Sequence, residues 1–243
     1  MTNPVSPVFP ASPVSPADIY AHLQTTAFGR LGDQALGQLS QLASVERFQV
    51  PTLLSAAGEP LTRFRLVVEG HIEIVARRAT GKEVVLSYVT PGSWATWLAC
   101  FMDTPPDNDF YSSAGACFIA WPTAEIRTFC AQNPKIYPFI IGEVGRRMRL
   151  LTEWTGQSLL VGPEQRMAKL LYLMAREQKL QANPATLHVT QARLASLARC
   201  SRQTANALLS ALEARGLISL AYGKFEIVDL AELAVFADAE LPE

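Results

Sequence analysis

The sequence predicts an α+β chain with three parts: an antiparallel β-roll, one long helix, and two short helices closed by a β-hairpin. Three observations predict it. Between Val45 and about Ile119, apolar residues alternate in short runs punctuated by glycine, as half-buried strands require. From Lys135 to Val161 the apolar spacing lengthens to three and four, the period of a helix. Beyond Pro163, helical patterns, a tight polar turn and two strand-like runs follow in order.

Taken from the start, proline at positions 4, 7, 10, 13 and 16 suits polyproline II and forbids helix. Residues 1–16 therefore read as a solvated arm, with a partner-docking motif as the alternative. From Ala17 to about Ala43 two short amphipathic helices fit. The first is entered at Ser15 or Pro16, and Gly32-Asp33 breaks and recaps the second. In the roll, Phe64–Val68 ends at Glu69-Gly70, Ile72–Val75 alternates, and Gly81-Lys82 turns into Val84–Val89 before Pro91-Gly92. After Pro122 a helical pattern opens, and residues 17–134 are expected to form one domain.

Asn133-Pro134 caps the long helix of residues 135–161. Along it Tyr137, Ile140, Val144, Met148, Leu151, Thr155 and Ser158 form a stripe like the seam of a two-stranded coil. Ile140, Val144, Met148, Leu151 and Thr155 are the expected dimer contacts. A helix packed on its own barrel fits the same stripe, because Thr155 and Ser158 are polar and Gly142, Gly145 and Gly156 lower helix propensity. Gly162-Pro163 ends the helix and opens a last domain, residues 162–243. Its first helix, Pro163–Glu177, carries Met167, Leu170, Leu171 and Met174 on one side.

Thr190 caps a short helix through Ala198, Arg199-Cys200-Ser201 makes a turn, and Ser201 caps Arg202–Arg215. Ala205, Leu208, Leu209 and Leu212 form the buried face of that second helix; Arg202, Gln203 and Asn206 lie opposite. Gly216 stops it, and Leu217–Leu220 and Phe225–Val228 flank Ala221-Tyr222-Gly223-Lys224 as a hairpin. Helix, turn, helix and hairpin make a winged helix-turn-helix. An arginine can donate two parallel hydrogen bonds to guanine in the major groove and a glutamine can pair bidentately with adenine, so Arg202 and Gln203 are expected to read bases. Hydroxyls of Thr190, Ser201 and Thr204 and the free N–H groups of the helix start suit phosphate oxygens. Gln191, Asn206 and Lys224 complete the expected DNA-binding set. The plainer alternative leaves Arg202 and Gln203 in solvent near a helix start.

Bulk properties set the limits. A chain of 243 residues carries a prior of one to two domains, and 49% hydrophobic against 18% charged residues excludes wholesale disorder. No apolar run approaches the ~20 residues of a membrane span, and no secretory signal is visible, so a cytoplasmic protein is expected. Cys100, Cys117, Cys130 and Cys200 write no CxxC pair, and His22, His71 and His188 stand far apart, so neither a zinc ribbon nor a metal-dependent oxygenase on a cupin-like roll is expected. No catalysis and no metal are expected. The net charge of −1 conceals a split: Pro163–Val228 carries nine basic residues against four acidic, which suggests a basic module joined to an acidic one.

Val189–Val228 resembles the C-terminal domain of the Crp/Fnr superfamily of bacterial transcription regulators, in the run Cys200-Ser201-Arg202-Gln203-Thr204 and in Leu212-Glu213 followed by Gly216-Leu217-Ile218. Upstream, Ala57-Gly58-Glu59-Pro60, Val68-Glu69-Gly70, Ile72-Glu73-Ile74 and Pro91-Gly92 look like the glycine-punctuated sensor roll of that family, so the resemblance runs from about Val45 to Val228. It implies a cyclic-nucleotide-binding-like jelly roll that senses a small-molecule effector. It also implies a homodimer joined through the long helix and two second helices entering successive major grooves of a near-palindromic site. Effector contacts would shift how the long helices pack and so the spacing of the reading helices. RNA polymerase is a candidate partner, although its contacts carry no readable residue code.

The departures carry as much information. The family's reading helix has Arg-Glu and, four residues after the Glu, a second Arg; this chain has Gln203 and Ala207, which implies a different half-site. Cyclic-AMP-binding members hold the cyclic phosphate with Gly-Glu and Arg-Ser after the position of Pro91-Gly92. Between Arg78 and Arg127 this sequence has no arginine, so cyclic AMP is not the expected ligand. The stretch instead supplies Trp94, Trp97, Phe101, Phe110 and Tyr111, read either as walls of a pocket for an apolar or aromatic effector or as core filling without a ligand. No cysteine precedes Cys100, which argues against the iron–sulfur cluster of the oxygen sensors. Local likeness to the carbon monoxide sensor, around Ile126-Arg127-Thr128-Phe129 and Ser201-Arg202-Gln203-Thr204, puts Thr96 and Leu98 at its haem-ligand positions; no cofactor is expected, and a haem-based gas sensor with His71 or Cys100 as substitute ligand stays as an alternative. An architectural binder without sequence preference is the alternative from another class.

Overall fold

The computed structural model describes residues 14–77, 83–157, 161–177, 180–187, 189–221 and 224–238. Most of the proline-rich arm and the Gly81-Lys82 turn therefore lie outside the described residues. The chain divides into two units, residues 1–142 and 143–243.

In the first unit, Ser15 caps α1 (Pro16–Gln24) in a reciprocal capping box. Its Oγ accepts from the Asp18 N–H at 3.3 Å, and its own N–H donates to the Asp18 carboxylate at 2.9 Å. A short 3₁₀ turn, Ala27–Leu31, then swings Phe28 into the core. Gly32, with φ of +84°, lets the chain enter α2 (Asp33–Leu42). The strands follow as β1 (Ser44–Phe48), β2 (Thr52–Ser55), β3 (Arg63–Glu69), β4 (Ile72–Arg77), β5 (Glu83–Val89) and β6 (Trp94–Ala95). After α3 (Trp97–Met102) come β7 (Asp109–Ser112), β8 (Ala116–Pro122), α4 (Thr123–Gln132) and the long α5 (Tyr137–Gln157). Two antiparallel four-stranded sheets result, ordered β1-β8-β3-β6 and β2-β7-β4-β5.

Alternation assigns the faces of the first sheet. Val67, Ala95, Ala116 and Phe118 meet Ile72, Val89 and Phe110 of the second sheet in the roll interior. The neighbours in between, Phe64, Leu66 and Trp121, point the other way. There Phe28 stacks on Trp94 at 4.7 Å between ring centroids, and the Trp121 indole N–H donates to the Leu39 carbonyl at 2.8 Å. The 3₁₀ turn and α2 thus cover the sheet's outer face.

On α5 the structure corrects one residue of the expected stripe. Ile140 is only 7% exposed, whereas Ile141, one residue on, is 67% exposed. With Tyr137, Val144, Met148, Leu151 and Thr155, Ile141 gives spacings of four, three, four, three and four, the repeat of a coiled-coil seam. Adjacent isoleucines lie about 100° apart around a helix, and periodicity alone could not choose between them.

Gly70 joins β3 to β4 at φ of +72°, and a Cβ there would stand 2.5 Å from the Ser113 Oγ and 3.0 Å from the Ala116 Cα. Left-handed strain and collision with backbone act together, so Gly70→Ala should lose about 3 kcal/mol of unfolding free energy. Urea denaturation of the two proteins measures it, and equal midpoints would refute the packing described here.

Candidate nucleic-acid interface

The second unit begins with the end of α5 and continues through α6 (Pro163–Glu177), β9 (Ala185–Leu187), α7 (Gln191–Leu197), α8 (Arg202–Ala214), β10 (Ile218–Ala221), β11 (Lys224–Ile227) and α9 (Leu230–Ala237). Its core gathers Met167, Leu171, Leu187, Leu194, Leu209, Leu212, Ile227 and Leu233. Two elements have no counterpart in the sequence reading. β9 adds a third strand to the hairpin, in the order β10-β11-β9, and α9 packs on α6 through Leu233 and Ala237, capped by the Asp229 carboxylate on the N–H groups of Ala231 and Glu232.

Lys169 is buried under this arrangement. Its ammonium sits 2.9 Å from Glu153 of α5 and 2.8 Å from Asp238 at the end of α9. Burial works to lower its pKa, but the hydrogen bonds of Asp238 and Glu153 outweigh burial and hold the group above its ordinary value. One cation thereby ties three helices.

The two short helices carry the caps their sequence calls for. The Thr190 Oγ1 accepts from the Arg193 N–H at 3.2 Å, and the Ser201 Oγ accepts from the Thr204 N–H at 3.0 Å while sharing a 2.8 Å hydrogen bond with the Thr204 hydroxyl. Both cap hydroxyls are thus engaged within the chain. Along α8, Ala205, Leu209 and Leu212 are wholly buried. Arg202, Gln203, Thr204, Asn206, Ala207 and Ser210 are exposed together on the opposite side. Gln191 and Thr190 are exposed at the start of α7. Lys224 opens β11 opposite Ala221; its side chain, with Tyr222 and Gly223, falls outside the described residues.

Charge is distributed differently from the count along the sequence. Besides Lys169, Arg176 pairs with Glu153 at 3.2 Å and Arg215 with Glu164 at 2.9 Å. Arg199 and Arg202 flank the entrance of α8, exposed and without an ion pair among the described residues. Arg199, which the sequence places only in a turn, stands exposed beside these candidate residues. It holds φ of +54°, a region side chains with a Cβ rarely adopt. No sequence signal marks that strain.

In the first unit the five aromatics expected at an effector pocket do not converge. Trp94, 4% exposed, is packed between Phe28 and Phe64 on the outer face of the first sheet. Phe101 meets Phe64 edge-on from the same side. Phe110 belongs to the roll interior, while Tyr111, next to it on β7, turns the other way and accepts from Arg77 at 2.8 Å. Trp97 is half-buried on α3. Strand alternation separates residues that the sequence places side by side. Burial pushes the Cys100 thiol up to about 11, away from the thiolate a metal needs. His71 faces Glu73 at 3.6 Å. Among the described residues no three His, Cys, Asp or Glu side chains gather as a metal site, and no helix is long and apolar enough to cross a membrane.

Comparison with known proteins matches residues 45–133 to a cyclic nucleotide-binding domain and residues 165–236 to a Crp-like helix-turn-helix domain. The cAMP-activated global transcriptional regulator CRP of Salmonella typhimurium is 24% identical over 187 residues, covering 76% of this chain and 89% of the relative. A CRP-like cAMP-activated global transcriptional regulator of Mycobacterium tuberculosis is 26% identical over 182 residues, covering 74% and 81%. Among solved structures, a CooA mutant from Carboxydothermus hydrogenoformans superposes with a TM-score of 0.68 at 15% identity, over 90% of this chain and 95% of that one.

The left-handed Arg199 generates a stability prediction. Arg199→Gly should raise unfolding free energy by about 1 kcal/mol through release of backbone strain. Thermal denaturation monitored by circular dichroism checks it; an unchanged or lower midpoint would mean the turn is unstrained.

Proposed function

The chain belongs to the Crp/Fnr family of transcription regulators, with a cyclic nucleotide-binding domain and a DNA-binding Crp-like helix-turn-helix, and from that premise we propose that it is a homodimer reading a near-palindromic operator through α8 under a signal other than cyclic AMP. The observation that carries this reading is the sidedness of α8. Its apolar residues are consumed by the core, and Arg202, Gln203 and Asn206 stand exposed on one face beside Arg199. Arg202 and Gln203 supply the bidentate donors and acceptors that base edges require, and Arg199 supplies a sequence-independent phosphate contact.

Dimerisation is supported by the corrected seam, in which Ile141, Met148 and Leu151 are each more than 60% exposed on α5. Three large apolar side chains in register are costly to leave in water, and a second copy of the same helix covers them. A two-fold pair then presents its reading helices about one duplex turn, ~34 Å, apart. That the signal differs from cyclic AMP is supported by the lack of any arginine from 79 to 126, the stretch in which cyclic-AMP-binding members carry their Arg-Ser.

Selection of bound sequences from random DNA tests the reading directly. For the selected site, Arg202→Ala should cost about 10- to 100-fold in affinity and relax preference at one base position. Arg199→Gly should weaken selected and random duplexes alike and reduce the salt slope by about 0.9. A uniform loss on Arg202→Ala would demote that residue to a phosphate contact. Cyclic AMP should leave the affinity unchanged. Met148→Glu should convert the dimer to a monomer in sedimentation and abolish tight operator binding; a wild-type chain that sediments as a monomer at micromolar concentration would overturn the dimer.

A further inference from the structure

Within the roll, one cluster is at odds with its surroundings. On β3, Phe64 and Leu66 face the covering helices, so Arg65 points with Val67 to the interior, paired in register with Ala120 of β8 and Ala95 of β6. Arg65 is 7% exposed. Its Nε donates to the Glu46 carboxylate at 2.7 Å across the small Ala120, while its Nη1 is buried with no hydrogen-bond partner. Glu46 also faces the Nε of Arg63 at 3.8 Å. Two guanidinium groups thus share a single carboxylate, graded from the buried Arg65 to the more exposed Arg63.

A buried, incompletely paired guanidinium is costly, because the interior screens its charge poorly and its N–H groups have lost water. Its planar fork suits the paired oxygens of a carboxylate or phosphate. Its register partners on the neighbouring strands, Ala95 and Ala120, are small and carry no side-chain polar group to pair with the fork. We infer that Arg65 is the anchor of an effector site in the roll, taking a small molecule that bears a carboxylate or phosphate group, with Arg63 at its rim. The inference rests on reading the N-terminal domain as the sensor, and it supplies the chemical class of what is sensed. The ligand's oxyanion neutralises the excess positive charge and occupies Nη1, so binding stabilises the folded chain.

The test uses the full chain and thermal denaturation in benzoate and in inorganic phosphate, each against sodium chloride of equal ionic strength. At least one of the two anions should raise the midpoint by about 4 °C; benzoate alone assigns a carboxylate ligand and phosphate alone a phosphorylated one. Arg65→Met should abolish the rise. Glu46→Gln removes the competing carboxylate and should produce the same rise at about tenfold lower anion concentration. No rise above chloride with either anion, or a rise retained in Arg65→Met, overturns the proposal. Should Arg65→Met not fold, Glu46→Gln decides alone, and an unshifted concentration dependence overturns it. Operator binding measured on the same samples separates the two levels. Wild-type protein that binds its operator but ignores both anions loses the anion site and keeps the regulator reading, whereas protein that selects no operator loses the reading beneath it.

Discussion

Burial of one four-stranded sheet on both of its faces is the constraint on which the N-terminal unit depends. The sheet β1-β8-β3-β6 cannot leave either side in water, because its central strand β8 is apolar almost throughout. One side is closed by the second sheet. The other requires separate cover, and the helices preceding the roll provide it through Phe28, Leu36 and Leu39. The Trp121 indole, wholly buried, keeps its single donor satisfied only because a carbonyl of α2 reaches it. The helices are therefore part of the roll's folding unit.

Much of this was legible in the sequence where a local rule acts alone. Ser15 and Asp18, Ser201 and Thr204, and Gly216 each fix a helix end through bonds or dihedrals spanning three residues or fewer, so the chain pattern and the fold agree there. Legibility fails where two rules compete or where partners are remote. Ile140 and Ile141 satisfy a helical stripe equally until tertiary packing buries one of them. Trp94 and Phe110 look like one aromatic cluster, and sheet topology divides them between separate packing layers. β9 is three residues long and pairs with β11 some forty residues later, a distance at which period-based reading has no purchase. The burial of Arg65 follows from strand register, which the local pattern around it does not reveal.

The charge of the C-terminal domain illustrates the same limit. A window ending at Val228 is strongly basic, but Asp229, Glu232, Asp238, Glu240 and Glu243 follow at once and cancel the excess. Its described cations are sorted by position. Lys169, Arg176 and Arg215 are spent on internal carboxylates, and Arg199 and Arg202 remain together at one helix entrance. Attraction for a polyanion depends on such local fields more than on net charge.

The Lys169 clasp bears on how small this DNA-reading module can be made. Its ammonium is buried between a carboxylate from the long helix and another just past α9, so neither flanking segment is dispensable trim. A fragment cut at the wing would leave the buried ammonium with one carboxylate in place of two and bare Leu233's seat on α6. The shortest piece that keeps both carboxylates and α9 begins upstream of Glu153 and runs through Asp238.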